Sequence, residues 1–127
     1  MRALLDTCAL IWWFRAPKKL SDRASKIMQD GENTIYVSAA SGLEISTKEN
    51  LGKADWLPFV LDLERWVEEE GFHVAPLTLD QSIRAGLLPL HHKDPFDRLL
   101  VAQAQALNVP ILSVDAILDQ YGVKRVW

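Results

Sequence analysis

Asp94-Pro95-Phe96-Asp97-Arg98-Leu99-Leu100-Val101-Ala102-Gln103-Ala104-Gln105-Ala106-Leu107 runs, after Asn108-Val109, into Pro110-Ile111-Leu112-Ser113-Val114-Asp115. The first part reads as a helix. Asp94 is a good N-cap, and Pro95 suits the first helical position, where a missing N–H costs nothing. Leu100, Val101, Ala104 and Leu107 recur three and four apart and form one apolar face. The second part is a short apolar run that ends on an acid, as a buried strand does. A helix that hands the chain to a buried strand is half of a parallel crossover unit.

The same alternation extends upstream and downstream. Ala3-Leu4-Leu5 reads as a first strand ending at Asp6. Thr7 is placed to cap a helix through Cys8 to Phe14, closed by Pro17. Ser21-Asp22-Arg23-Ala24 opens a second helix that reaches about Asp30-Gly31. Ile35 to Ser38 reads as a strand, Ala39 to Glu49 as a helix, and Trp56 to Glu70 as the longest amphipathic helix. Phe72 to Ala75, a helix from Thr78 to Leu88, a short helix after Asp115 and a last strand from Val123 to Trp127 complete the series. The expected fold class is α/β, three-layered, with a central parallel sheet of about five strands and right-handed crossovers. Residues 1–127 are expected to form a single domain, a normal size for one core.

Composition narrows the class. Apolar residues make up 49% and charged residues 24%, an ordinary globular mixture. One cysteine, Cys8, excludes an internal disulfide and suits a reducing compartment. No run approaches the ~20 apolar residues that span a bilayer, and the acid at position 6 breaks any secretory h-region. A cytoplasmic protein without membrane contact is expected. The net charge of −3 disfavours binding of nucleic acid through a generally basic surface. Setting four clustered acids aside leaves the rest near neutral, so charge placement matters more than the total.

Ligands of open parallel sheets bind beyond the carboxyl ends of the strands, where strand order reverses. Asp6 and Asp115 follow strand ends. Asp97 lies in the first turn of the helix before the fourth strand, and Glu44 lies on the helix after the second. Gathered carboxylates repel each other unless cations neutralise them. Hard ions such as Mg2+ or Mn2+ prefer such oxygen ligands and support in-line phosphodiester hydrolysis. Each acid also has a local role open to it. Asp97 could belong to a capping box, Glu44 could pair with Lys48, and Asp6 and Asp115 could be N-caps.

These segments resemble a known family. Leu4-Leu5-Asp6-Thr7-Cys8-Ala9-Leu10-Ile11-Trp12-Trp13 is similar to the opening of PIN-domain proteins. Val37-Ser38-Ala39-Ala40-Ser41-Gly42-Leu43-Glu44-Ile45 is similar to their second acidic motif. His92 to Ala104, with Asp94-Pro95-Phe96-Asp97-Arg98 at its centre, resembles the third motif of VapC-type toxins. Leu112 to Asp115, with Tyr121-Gly122-Val123, is similar to the last. The resemblance implies a PIN-like fold and a Mg2+- or Mn2+-dependent endoribonuclease with Asp6, Glu44, Asp97 and Asp115 as catalytic and metal-site acids. It implies the toxin of a type II toxin–antitoxin pair, a homodimer blocked by a cognate antitoxin, with structured RNA such as tRNA as substrate. Asp94 is read as N-cap first and part of the metal shell second. Gly42 departs from the family's larger residue and is expected to loosen the start of the Glu44 helix.

Among other residues, Lys48 and Arg98 are the expected RNA phosphate contacts, with Arg15 and Lys53 as further cations near the crevice. His91 and His92 read as a solvated loop. Cys8 reads as a small core residue. Of the adjacent Trp12 and Trp13, one is expected to face outward at a dimer interface. Two other functions fit a small acidic α/β domain: a receiver-like Mg2+-binding signalling domain, and a PIN-like domain that binds RNA or a partner without cleaving. The receiver lacks support, because Pro76-Leu77-Thr78 stands where its phospho-acceptor acid should follow the third strand.

Overall fold

A computed structural model describes residues 1–53 and 55–127. Five parallel strands form one sheet in the order β3-β2-β1-β4-β5. They are β1 (Arg2–Leu5), β2 (Thr34–Ser38), β3 (His73–Ala75), β4 (Ile111–Leu112) and β5 (Arg125–Val126). The helices are α1 (Thr7–Arg15), α2 (Asp22–Gln29), α3 (Ala39–Asn50), α4 (Leu57–Leu61), α5 (Leu63–Glu69), α6 (Leu79–Leu87) and α7 (Pro95–Leu107). Two 3-10 turns, Pro17–Lys19 and Ala116–Tyr121, complete the chain. The expected α/β architecture with a five-stranded parallel sheet is therefore the observed one. A receiver domain would order its strands 2-1-3-4-5, so this order removes that alternative.

Strand alternation builds two cores. Ala3 and Leu5 of β1 face one side with Ile35, Val37, Leu112 and Val126, covered by Leu10, Met28, Ile45, Phe59 and Val67 from the helices. Leu4 and Ile111 face the other side, covered by Leu100, Val101 and Ala104 of α7 and by Leu118. Because β1 lies between β2 and β4, all its inner residues are fully buried. Strand order reverses at β1, which opens a crevice beyond its carboxyl end.

The long helix expected over Trp56 to Glu70 is two short ones. They break at Asp62, whose backbone (φ −101, ψ 4) leaves the helical region. The break lets Phe59 on one piece and Leu63 and Val67 on the other reach the same core, while Leu61 stays 76% exposed. Strands β4 and β5 are shorter than their apolar runs suggested. Beyond Leu112 one more backbone bond reaches β5, from the Ser113 N–H to the Val126 carbonyl at 3.2 Å, and the chain then turns so that the Ser113 hydroxyl and the Asp115 carboxylate accept from backbone N–H groups. No helix among the described residues is long and apolar enough to cross a membrane.

Candidate metal centre

Every helix that follows a parallel strand starts at the carboxyl edge of the sheet, and α7 also begins there before returning into β4. Four acids are carried to one rim by this rule. Asp6 leaves β1 and caps α1, its Oδ1 accepting from the Ala9 N–H at 2.7 Å. The cap is thus Asp6, not Thr7, whose hydroxyl instead meets Ser41 at 3.0 Å. Glu44 sits in the second turn of α3, buried. Gly42 does not loosen that helix, which runs unbroken from Ala39 to Asn50. Asp97 lies in the first turn of α7, after Asp94 has capped it by accepting from the Phe96 N–H at 2.8 Å. Asp115 caps the 3-10 turn through the Ile117 N–H at 3.0 Å.

The charges of these groups act on each other. Burial, then the charges of Glu44 and Asp115, raise the Asp6 carboxyl to about 6, against hydrogen bonds from Ser113 and Ala9 that lower it. Burial first, then Asp94, Glu44 and Asp6, raise Asp97 to about 7, with His92 opposing. Glu44 gives one oxygen to Lys48 Nζ at 2.9 Å, while its Oε1 is buried with no hydrogen-bond partner. A carboxylate oxygen in that state costs ~1–3 kcal/mol unless something positive meets it. Oxygen donors that repel one another, one of them buried and unsatisfied, are the donor set that Mg2+ or Mn2+ prefers.

Two residues of the rim were not legible from the sequence. His92, expected in a solvated loop, is half-buried; its Nε2 lies 3.0 Å from Asp97 Oδ2 and 2.9 Å from Asp115 Oδ2. Its backbone N–H donates to the Tyr121 hydroxyl at 2.8 Å, and that hydroxyl donates to the Pro89 carbonyl at 2.7 Å. His91 does remain exposed, with its ring against Tyr121. Ser113, fully buried, accepts from the Asp115 N–H at 3.0 Å and hydrogen-bonds the Asp6 carboxylate. One hydroxyl thereby orients two acids. A serine two residues before an acid, at the end of an apolar strand, was the available signal.

The structure also relocates several expected side chains. Arg98 turns away from the acids and donates from one guanidinium nitrogen to the carbonyls of Gly86 and Leu88, at 2.9 and 3.1 Å. It ties down the end of α6, and we assign it that structural role in place of a phosphate contact. Lys48 does stand at the rim, on Glu44. Lys53 is exposed beyond α3, and Arg15 lies over the Phe59 ring. Cys8 is exposed, not in the core. Its sulfur is shielded enough that desolvation, then the Asp6 charge, push the thiol up to about 11, so it stays protonated and non-nucleophilic at neutral pH. Trp12 and Trp13 are both partly buried, and neither stands wholly outward. Trp12 packs on Trp127 and Trp13 on Phe72, both against the core.

A family model described as the PIN domain matches residues 3–124. The chain belongs to the PIN domain family. Among curated proteins, this PIN domain is 27% identical over 104 residues to Ribonuclease VapC22 of Mycobacterium tuberculosis (strain ATCC 25618 / H37Rv), covering 80% of this chain and 77% of that one. Among solved structures it is similar to VapBC2 from Rickettsia felis bound to a DNA fragment from their promoter. There the TM-score is 0.72 at 13% identity, over 99% of this chain and 98% of the other. It is also similar to VapBC-1 from nontypeable Haemophilus influenzae, with TM-score 0.67, 16% identity and coverage of 99% and 97%. These two likenesses bear on the fold, which is that of VapC-type PIN domains.

Proposed function

We propose that this PIN domain is a Mg2+- or Mn2+-dependent endoribonuclease, the toxin of a type II toxin–antitoxin pair, with Asp6, Glu44, Asp97 and Asp115 as its working acids. The observation that carries the reading is the buried, unpartnered Oε1 of Glu44 among carboxyls raised by burial and then by one another's charge. Asp6, Glu44 and Asp97 would hold the ion. Bound there, a divalent cation supplies a Lewis acid for the phosphoryl oxygen and lowers the pKa of a water that attacks in line. The chain's own part is positional. The α1 N-terminus and Ser113 orient Asp6, α3 presents Glu44, and Lys48 beside it offers a cation to an RNA phosphate. The relative called a ribonuclease supports RNA as the substrate class.

The test is cleavage of RNA, tRNA included, with Mn2+ or Mg2+. Activity is expected to vanish with a chelator and to fall at least about 100-fold in Asp6→Asn and Glu44→Gln. A variant of either kind that cleaves at the wild-type rate would overturn the assignment. Cleavage that is indifferent to chelator would overturn the metal dependence.

The antitoxin partner is supported by a cleft between α3 and α4–α5, lined by Gly42, Ser46, Leu61, Leu63, Glu64 and Val74. Leu61 at 76% and Val74 at 44% are costly to leave in water, and an apolar helix face would cover them. Pull-down with the product of the adjacent reading frame is expected for the wild type and to weaken at least tenfold in Leu61→Glu. Undiminished binding there would place the antitoxin elsewhere.

A further inference from the structure

We propose that His92 is a positioning residue of the metal centre. Its Nε2 hydrogen-bonds Asp115 and lies against Asp97, so the ring sets Asp97 for a divalent cation, while Asp115 acts through the ring rather than on the ion. The inference rests on the metal-site reading above and adds a division of labour among its acids.

The ring's state follows from its partners. The Asp94 N–H donates to His92 Nδ1 at 3.1 Å, so Nδ1 is the acceptor. In the neutral ring the proton is then on Nε2. Nε2 therefore donates to Asp115 Oδ2 at 2.9 Å, and Asp97 Oδ2 lies 3.0 Å from the same nitrogen. A nitrogen that carries a proton has no lone pair for a metal. His92, Asp97 and Asp115 lie close enough together to suggest a three-ligand cation site. The tautomer set by Asp94 argues that the imidazole is a donor there and not a ligand.

The oxygens divide accordingly. Asp115 gives Oδ1 to the Ile117 N–H and Oδ2 to His92, so both of its oxygens already have protein donors. Asp6 gives Oδ1 to the Ala9 N–H and also accepts from the Ser113 hydroxyl, and Glu44 gives Oε2 to Lys48 while Oε1 has no partner. Asp97 Oδ2 lies 3.0 Å from the ring, an ion-pair contact. The arrangement leaves an unpartnered Glu44 oxygen beside Asp6 and Asp97 to meet a cation, and makes Asp115, tied on one oxygen to Ile117 and on the other to the ring, the anchor of the contact. The contact itself is fastened from behind. The His92 backbone is hydrogen-bonded to Tyr121, which is 91% buried by its 9% exposure and also tied to Pro89. The ring thus cannot drift without unmaking a loop held at three points.

The experiment reads metal affinity and ring chemistry without RNA. Mn2+ binding is measured by calorimetry on the wild type, His92→Ala, His92→Gln, Asp115→Asn and the double variant His92→Ala/Asp115→Asn. Groups that orient metal ligands change affinity by roughly 10- to 100-fold when removed. His92→Ala is expected to bind Mn2+ about tenfold more weakly. His92→Gln, which keeps an N–H donor of similar reach, should recover most of the loss. Asp115→Asn should resemble His92→Ala, and the double variant should be no worse than either alone. Nitrogen NMR of the wild type should show Nε2 protonated and Nδ1 unprotonated, before and after saturation with Mg2+. Wild-type affinity in His92→Ala, or a proton found on Nδ1 with Mg2+ bound, would overturn the proposal, the second by making the ring a ligand. The NMR readout stands even if His92→Ala folds poorly. A wild type that binds Mn2+ but cuts no RNA would sink the nuclease reading and leave the His92 contact intact; one that binds no divalent ion would sink both.

Discussion

At the scale of single residues, Asp6 and Asp97 are held in a state that water would not choose. Each is raised from 3.8, Asp6 to about 6 and Asp97 to about 7, by burial and neighbouring negative charge. An acid whose folded pKa lies above its unfolded one holds an extra proton in the folded chain between the two values, so stability falls as pH rises through that window. In chelator, the protein is therefore expected to lose stability from about pH 4 to about pH 7. Asp6→Asn and Asp97→Asn remove the charge while Asn still caps or fills the place. Each should be more stable than wild type by about 1–3 kcal/mol at about pH 8, with the gap closing towards about pH 4. Urea unfolding across pH measures it. Saturating Mn2+ should reverse the order by stabilising the wild type alone. Variants that are less stable than wild type in chelator at the upper pH would contradict this.

At the scale of elements, Arg98 shows how a residue beside an active acid can belong to another structure. Its guanidinium holds the Gly86 and Leu88 carbonyls, where α6 ends without a left-handed cap. Arg98→Ala is expected to lower stability by about 2 kcal/mol, since charged donors to otherwise unmet carbonyls contribute at that level. Its RNA affinity, measured below the unfolding transition, should be unchanged; a loss of affinity with unchanged stability would return Arg98 to the phosphate.

The legibility of the elements follows the range of the forces that make them. α7 was readable because its cap, its proline and its apolar face all lie within the segment. β1 and β2 were readable as compact apolar runs. The break at Asp62 was not, because the apolar period continues through it and only the shared core of Phe59 and Val67 asks for a bend. The acids were legible as strand-end and helix-start residues once the sheet was foreseen. His92 was not. Its burial comes from Asp115, 23 residues ahead, and from Tyr121, 29 ahead, neither of which marks the loop locally.

At the scale of the molecule, the question is where a second copy would sit. Trp12 and Trp13 are taken by the core, but α6 presents Leu79, Ile83 and Leu87 at 79%, 53% and 79% exposure. Spaced four apart, they form one stripe, and apolar stripes of this kind on a small domain mark contacts with other chains. If the protein is a homodimer, as the family resemblance implies, Ile83→Lys should yield a monomer in sedimentation equilibrium with its melting curve little changed. A dimer that survives the charge would place the contact elsewhere.

The outermost strands carry a further consequence. β3 is three residues long and β5 only two. Backbone N–H and C=O groups at a sheet's margins invite another chain to zip on, and long margins are how globular proteins come to stack into fibres. Here the ledges are too brief to template such growth. Crowding this protein should therefore give discrete, helix-mediated assemblies rather than an extended cross-strand aggregate.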